Sequence, residues 1–92
     1  MEENIRVEFI VSGLVQGVGF RYYIYHNAVS LGLRGFTRNL WDGTVYAIAE
    51  GSKQAVEQLH NHLKSGPMMA HVESIQVEYN NATNEFEEFE IR

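Results

Sequence analysis

Hydrophobic and polar residues alternate from Ile5 to Ser12. Ile5, Val7, Phe9 and Val11 fall on one side and Arg6, Glu8 and Ser12 on the other, with Ile10 the exception. A period of two predicts a half-buried strand. From Phe20 the period lengthens. Phe20, Ile24, Ala28 and Leu31 recur at steps of four, four and three, the stripe of an amphipathic helix ending near Leu31, with Gly32 as its C-cap. Leu33 to Asn39 reads as a second strand, with Phe36 its clearest core residue. Leu40-Trp41-Asp42-Gly43 reads as a hairpin turn, because Asp-Gly supplies the positive φ angles such turns need. Thr44 to Glu50 is a third strand. Ser52 is a good N-cap for a helix running to Lys64, whose apolar stripe is Ala55, Val56, Leu59 and Leu63 and which Gly66-Pro67 ends. Val72 to Tyr79 is a fourth strand with Ile75, Val77 and Tyr79 on one face. Asn80 to Asn84 is a turn, and Glu85 to Ile91 a last short strand with Phe89 and Ile91 inward. Its acidic residues suit a sheet edge that must not recruit another chain.

The order is βαββαβ plus a short C-terminal strand. This is the ferredoxin-like split βαβ pattern, an α+β fold with an antiparallel sheet and two helices on one face. No linker or internal repeat interrupts the chain, so residues 1–92 read as one domain. The first and second strands, joined by a returning helix, run the same way. Their C-terminal ends meet the same end of the sheet. If the third strand lies between them, their backbones are about 10 Å apart, twice the ~4.8 Å strand spacing.

That end of the sheet carries the candidate chemistry. Gly13-Leu14-Val15-Gln16-Gly17-Val18-Gly19-Phe20-Arg21 joins the first strand to the first helix. Glycines let a turn curl until successive N–H groups converge, and the first N–H groups of a helix lack intrahelical partners, so such a junction suits an anion. Arg21 adds a planar cationic fork matched to phosphate oxygens. It also sits where the helix dipole opposes a cation, which fits either a missing anion or a solvated side chain pointing away. Asn39 ends the second strand and is the predicted neighbour of this loop. A gap of that width suits a phosphoryl group and one water between arginine and amide.

Composition narrows the classes. The chain has 92 residues, 45% of them hydrophobic, enough for a modest core. It has no cysteine, which removes disulfides, thiolate nucleophiles and cysteine-ligated metals. Met1-Glu2-Glu3-Asn4 lacks the character of a signal peptide, and no apolar run approaches a membrane span, so a cytoplasmic location is expected. Asn81-Ala82-Thr83 then reads as a polar turn and not a glycosylation site. The formal net charge of −5, with seven basic residues scattered, argues against nucleic acid. Tyr22, Tyr23 and Tyr25 therefore read as core margin and helix surface, not as a base-stacking platform. His26, His60, His62 and His71 make no metal set, since His60 and His62 face apart on a helix. The phosphate-loop, zinc-protease and serine-hydrolase motifs do not occur.

The Gly13 to Arg21 stretch resembles the phosphate-binding signature of the acylphosphatase family. Gly35-Phe36-Thr37-Arg38-Asn39 resembles its second signature. Asp42-Gly43-Thr44-Val45, Ala49-Glu50-Gly51 and Gly66-Pro67 with Ala70 and Val72 are similar to the family pattern in order and spacing. The resemblance implies a metal-independent hydrolase that cleaves small acyl phosphates to a carboxylate and phosphate, with no cofactor. It implies that Arg21 binds the phosphoryl oxygens, that Asn39 positions the attacking water, and that backbone N–H groups of Val15, Gln16, Gly17, Val18, Gly19 and Phe20 form the cradle. A monomer with no nucleic-acid or membrane partner is expected. Leu14 stands where relatives often carry a basic residue and Leu40 where many carry a small hydroxyl residue. No terminal tyrosine is present to steady Arg21. The alternative is a non-enzymatic anion-binding module of the same fold, since fold does not fix function.

Overall fold

The computed structural model describes residues 3–92; Met1 and Glu2 of the acidic lead lie outside them. The chain runs β1 (Asn4–Leu14), α1 (Phe20–Ser30), β2 (Arg34–Asn39), β3 (Val45–Ser52), α2 (Lys53–Ser65), β4 (His71–Asn81) and β5 (Phe89–Ile91). The sheet order is β4-β1-β3-β2-β5. The four long strands pair antiparallel, and β5 adds in parallel to the edge of β2. The expected ferredoxin-like architecture is present, with β3 between β1 and β2.

The alternating pattern of β1 sets which face is covered. Val7, Phe9 and Val11 pair across with Ala49, Ala47 and Val45 of β3, and all six are fully buried. Phe20, Ile24 and Ala28 of α1 and Val56, Leu59 and Leu63 of α2 close over this row. Ser52 caps α2, its hydroxyl accepting from the Ala55 N–H at 3.1 Å. Helix α1 has no such side-chain cap. It begins instead from Gly19, whose φ of 78° is left-handed backbone that favours glycine.

Strand β2 departs from the expected reading. Leu33, Gly35 and Thr37 face the helices, and Phe36 points to the opposite side of the sheet, half-buried. A side chain on Gly35 would run into the Ile48 carbonyl, 1.9 Å from an added Cβ. Thr37 is buried because its hydroxyl donates to the Tyr46 carbonyl at 2.8 Å. Phe36 packs against Tyr46 and Phe86 on the helix-free face.

The expected strand from Glu85 is only three residues long, Phe89–Ile91. Residues 82–88 instead form a strap across the helix-free face. Glu50, with no exposed surface, holds it. Its carboxylate accepts from Thr83 N–H at 2.8 Å, Thr83 hydroxyl at 2.9 Å, Asn84 N–H at 2.9 Å and Arg6 at 3.5 Å. Arg6 also pairs with Glu85 and lies over the Phe86 ring. Burial alone would raise the Glu50 carboxyl, but the donors outweigh it and hold it below the usual range. A carboxyl lowered in the folded state stabilises above its unfolded pKa, and the gain is lost as pH falls through the folded value. Glu50→Gln puts an amide N–H against these donors. It is expected to cost about 2–4 kcal/mol at neutral pH in denaturant unfolding. The gap to the unaltered protein should narrow as pH falls below the ordinary glutamate range towards the lowered folded value of Glu50.

Candidate active site

Strands β1 and β2 run in the same direction on either side of β3, so the loop after β1 and the end of β2 meet. The loop is fixed at both ends by burial, Val15 and Phe20 each being 1% exposed. Val18 packs partly against the core between them. Gly17 and Gly19, with φ of 76° and 78°, curl the backbone in the left-handed region, and open space lies where their Cβ atoms would be. The requirement for glycine here comes from backbone shape and not from crowding.

A cavity of about 250 Å³ opens beside the loop, lined by Val15, Gly17, Gly19, Phe20, Arg21, Tyr22, Asn39 and Ile91. It thus gathers the two residues singled out as catalytic, Arg21 and Asn39, with four of the six cradle residues. Gln16 and Val18 are not among its lining residues. The Gln16 side chain turns to the β2–β3 turn, where its amide donates to the Leu40 and Thr44 carbonyls. A larger depression of about 350 Å³ lies on the helix-free face, but Glu8 and Glu78 line it, which suits an anion badly.

Arg21 is the charged side chain among the residues lining the 250 Å³ cavity, on a chain of net charge −5. Among the described residues no Asp or Glu side chain pairs with Arg21. Its guanidinium donates to the main-chain oxygen of Arg92 at 3.2 Å. The first turn of α1 contains no acidic residue, and the first helical bond at this end is Tyr23 N–H to Gly19 carbonyl at 3.0 Å. The N–H groups before Tyr23 have no intrahelical acceptor and lie at the positive end of the dipole.

The departures noted in the sequence find their places. Leu14 is exposed at the end of β1, opposite His71. Leu40 contributes its carbonyl to the Gln16 amide. The partner that Arg21 meets at the end of the sheet is the main chain of Arg92. The Arg92 N–H donates to Thr37 at 2.8 Å, and the Arg92 side chain stacks on Phe36 at 4.0 Å and pairs with Glu90 at 2.9 Å. Ile91, expected to point inward, is 39% exposed and walls the cavity. Tyr22, expected at the core margin or helix surface, is 59% exposed and is the other wall. Neither is visible as a site residue from local sequence, since each role depends on where β5 docks.

Asp42 accepts from the Thr44 N–H at 3.0 Å and hydroxyl at 2.6 Å, bonds that hold its carboxyl below the usual range and set the turn after Asn39. The Asn39 side chain is exposed to the cavity and opposes no ladder partner beyond its backbone pairing with Val45. His60 packs on Phe9, and burial keeps it below the ordinary histidine range. No helix among the described residues is long and apolar enough to cross a membrane.

Comparison with known proteins bears on the whole of this arrangement. The profile of the Acylphosphatase family matches residues 7–91. An acylphosphatase of Syntrophotalea carbinolica is 47% identical over 88 residues, covering 96% of each chain. The crystal structure of an acylphosphatase from Bacillus subtilis superposes with a TM-score of 0.93 at 33% identity, covering 96% of this chain and 98% of that one. An acylphosphatase from Coxiella burnetii gives 0.91 at 31% identity, over 98% and 94%. By its sequence, its fold and the order of its motifs, the chain belongs to the acylphosphatase family.

Proposed function

We propose that this protein hydrolyses the carboxyl–phosphate bond of small acyl phosphates, releasing a carboxylate and inorganic phosphate. The observation that carries the reading is the meeting of Arg21, an uncapped helix N-terminus and Asn39 around one small cavity. Family membership supports the same chemistry. In this reading Arg21 and the N–H groups of the loop hold the phosphoryl oxygens. Phosphoryl transfer needs mainly placement and charge stabilisation, and these groups supply the charge.

Asn39 directs the attacking water. An amide cannot accept a proton near neutral pH, but it can donate to and accept from a water and so fix its orientation. Water attacks phosphorus, and the P–O bond to the acyl group breaks with its electron pair on the carboxylate. That leaving group has a conjugate acid of pKa about 4, so it departs without being protonated. No general acid, cofactor or metal is needed for a leaving group this weakly basic. The protein works in this reading as a monomer in the cytoplasm, on a small molecule.

Phosphate release from a simple acyl phosphate tests the proposal, with the protein freed of metal by a chelator. Turnover should survive chelation. Arg21→Ala should lower kcat/KM by about a hundredfold or more and abolish inhibition by phosphate. Asn39→Ala should lower kcat comparably while leaving phosphate inhibition nearly intact, because it removes water placement and not the cradle. A folded protein that binds phosphate without turning over acyl phosphate would instead be an anion-binding module. Gly19→Ala places a Cβ in left-handed backbone at about 1–2 kcal/mol. It should weaken phosphate binding even where the thermal midpoint falls only by a few degrees.

A further inference from the structure

Gln16 belongs to the Gly-rich loop by sequence, yet its side chain serves the other half of the site. Its amide nitrogen donates to the Leu40 carbonyl at 2.7 Å and to the Thr44 carbonyl at 2.9 Å. These two carbonyls form the neck of the β2–β3 turn. Leu40 N–H donates to the Thr44 carbonyl at 2.9 Å, and Gly43 N–H to the Leu40 carbonyl at 3.2 Å. Leu40 directly follows Asn39, and Thr44 directly precedes Val45, the residue paired with Asn39 across the ladder. One partly buried side chain therefore joins the phosphate loop to the strand end that presents Asn39.

The two halves depend on this bond unequally. Buried Val15 and Phe20 anchor the loop on either side of Gln16. The turn has no such anchor. Trp41, Asp42 and Gly43 are exposed, Trp41 by 99%, and the bonds of Asp42 to Thr44 hold the turn only to itself. We propose that Gln16 is a positioning residue that acts through Asn39. It holds the amide of Asn39 at the distance from the cradle at which a water reaches the bound phosphoryl group. The inference rests on the proposed acylphosphatase reading. It explains the choice of side chain, since two donors on a reach of two methylenes are needed to bridge two carbonyls. Glutamate would set a carboxylate against them, and asparagine is one methylene short.

Gln16→Met keeps length and volume and removes both donors. Each carbonyl retains its backbone bond, so the fold should hold. Gln16→Asn tests reach with the donors kept. The experiment is steady-state hydrolysis of a simple acyl phosphate by both variants, with inorganic phosphate as competitive inhibitor. Both variants should lose about tenfold or more in kcat, since misplacement of a reacting group by about 1 Å costs that much or more. The inhibition constant for phosphate, which only a folded cradle gives, should stay within about threefold. Unchanged kcat in Gln16→Met would overturn the proposal. A loss of phosphate binding equal to the loss of kcat would also overturn it, because Gln16 would then shape the cradle itself. Failure of the functional reading is distinguishable, as it would appear in the unaltered protein as absent turnover.

Discussion

The site depends on one constraint of chain direction. Strands β1 and β2 run the same way and never touch, because β3 lies between them and antiparallel to both. That arrangement brings two segments distant in sequence, the Gly-rich loop and Asn39, to one end of the sheet with a strand's width between them. The helix that returns the chain also begins there, so its free N–H groups and Arg21 arrive at the same place. The buried row of Val7, Phe9 and Val11 against Ala49, Ala47 and Val45 fixes the register. A shift of one residue would turn that row to the open face and draw the loop away from Asn39.

The charge distribution follows a division of labour. The protein is acidic, yet the charged side chain lining the cavity between α1 and β2 is the cation Arg21. Many carboxylates are engaged elsewhere. Glu50 and Glu85 hold the strap over the helix-free face with Arg6, and Glu90 pairs with Arg92. Arg21 meets the main-chain oxygen of Arg92 and no Asp or Glu side chain among the described residues, which leaves most of its donors for a ligand. At the cavity wall, the residue after β5 contributes through backbone, because docking of Arg92 on Thr37 and Phe36 brings its main-chain oxygen to Arg21.

Much of this was legible in the sequence. The period-two run of β1, the helical stripes, the Ser52 cap and the Asp-Gly turn are local signals, and the structure follows them. Order and handedness then sufficed to place Arg21 beside Asn39. The features that were not legible depend on contacts far along the chain. Phe36 has the hydrophobicity of a core residue, but the inward face of β2 is taken by Gly35 and Thr37. The first is needed beside the Ile48 carbonyl, and the second is satisfied only by a carbonyl on β3. Residues 82–88 read locally as a turn and the start of a strand, because the partners of the strap, Glu50 and Arg6, lie on β3 and β1. The direction of the Gln16 side chain is hidden for the same reason, since its acceptors lie on the opposite side of the site.

The central claim is that water attacks the phosphorus of an acyl phosphate held between Arg21 and Asn39. Hydrolysis of a simple acyl phosphate in water enriched in the heavy oxygen isotope 18O tests it most directly. The account predicts one heavy oxygen in the released phosphate and none in the carboxylate. Label in the carboxylate would mean attack at the acyl carbon and would contradict the roles assigned to both residues.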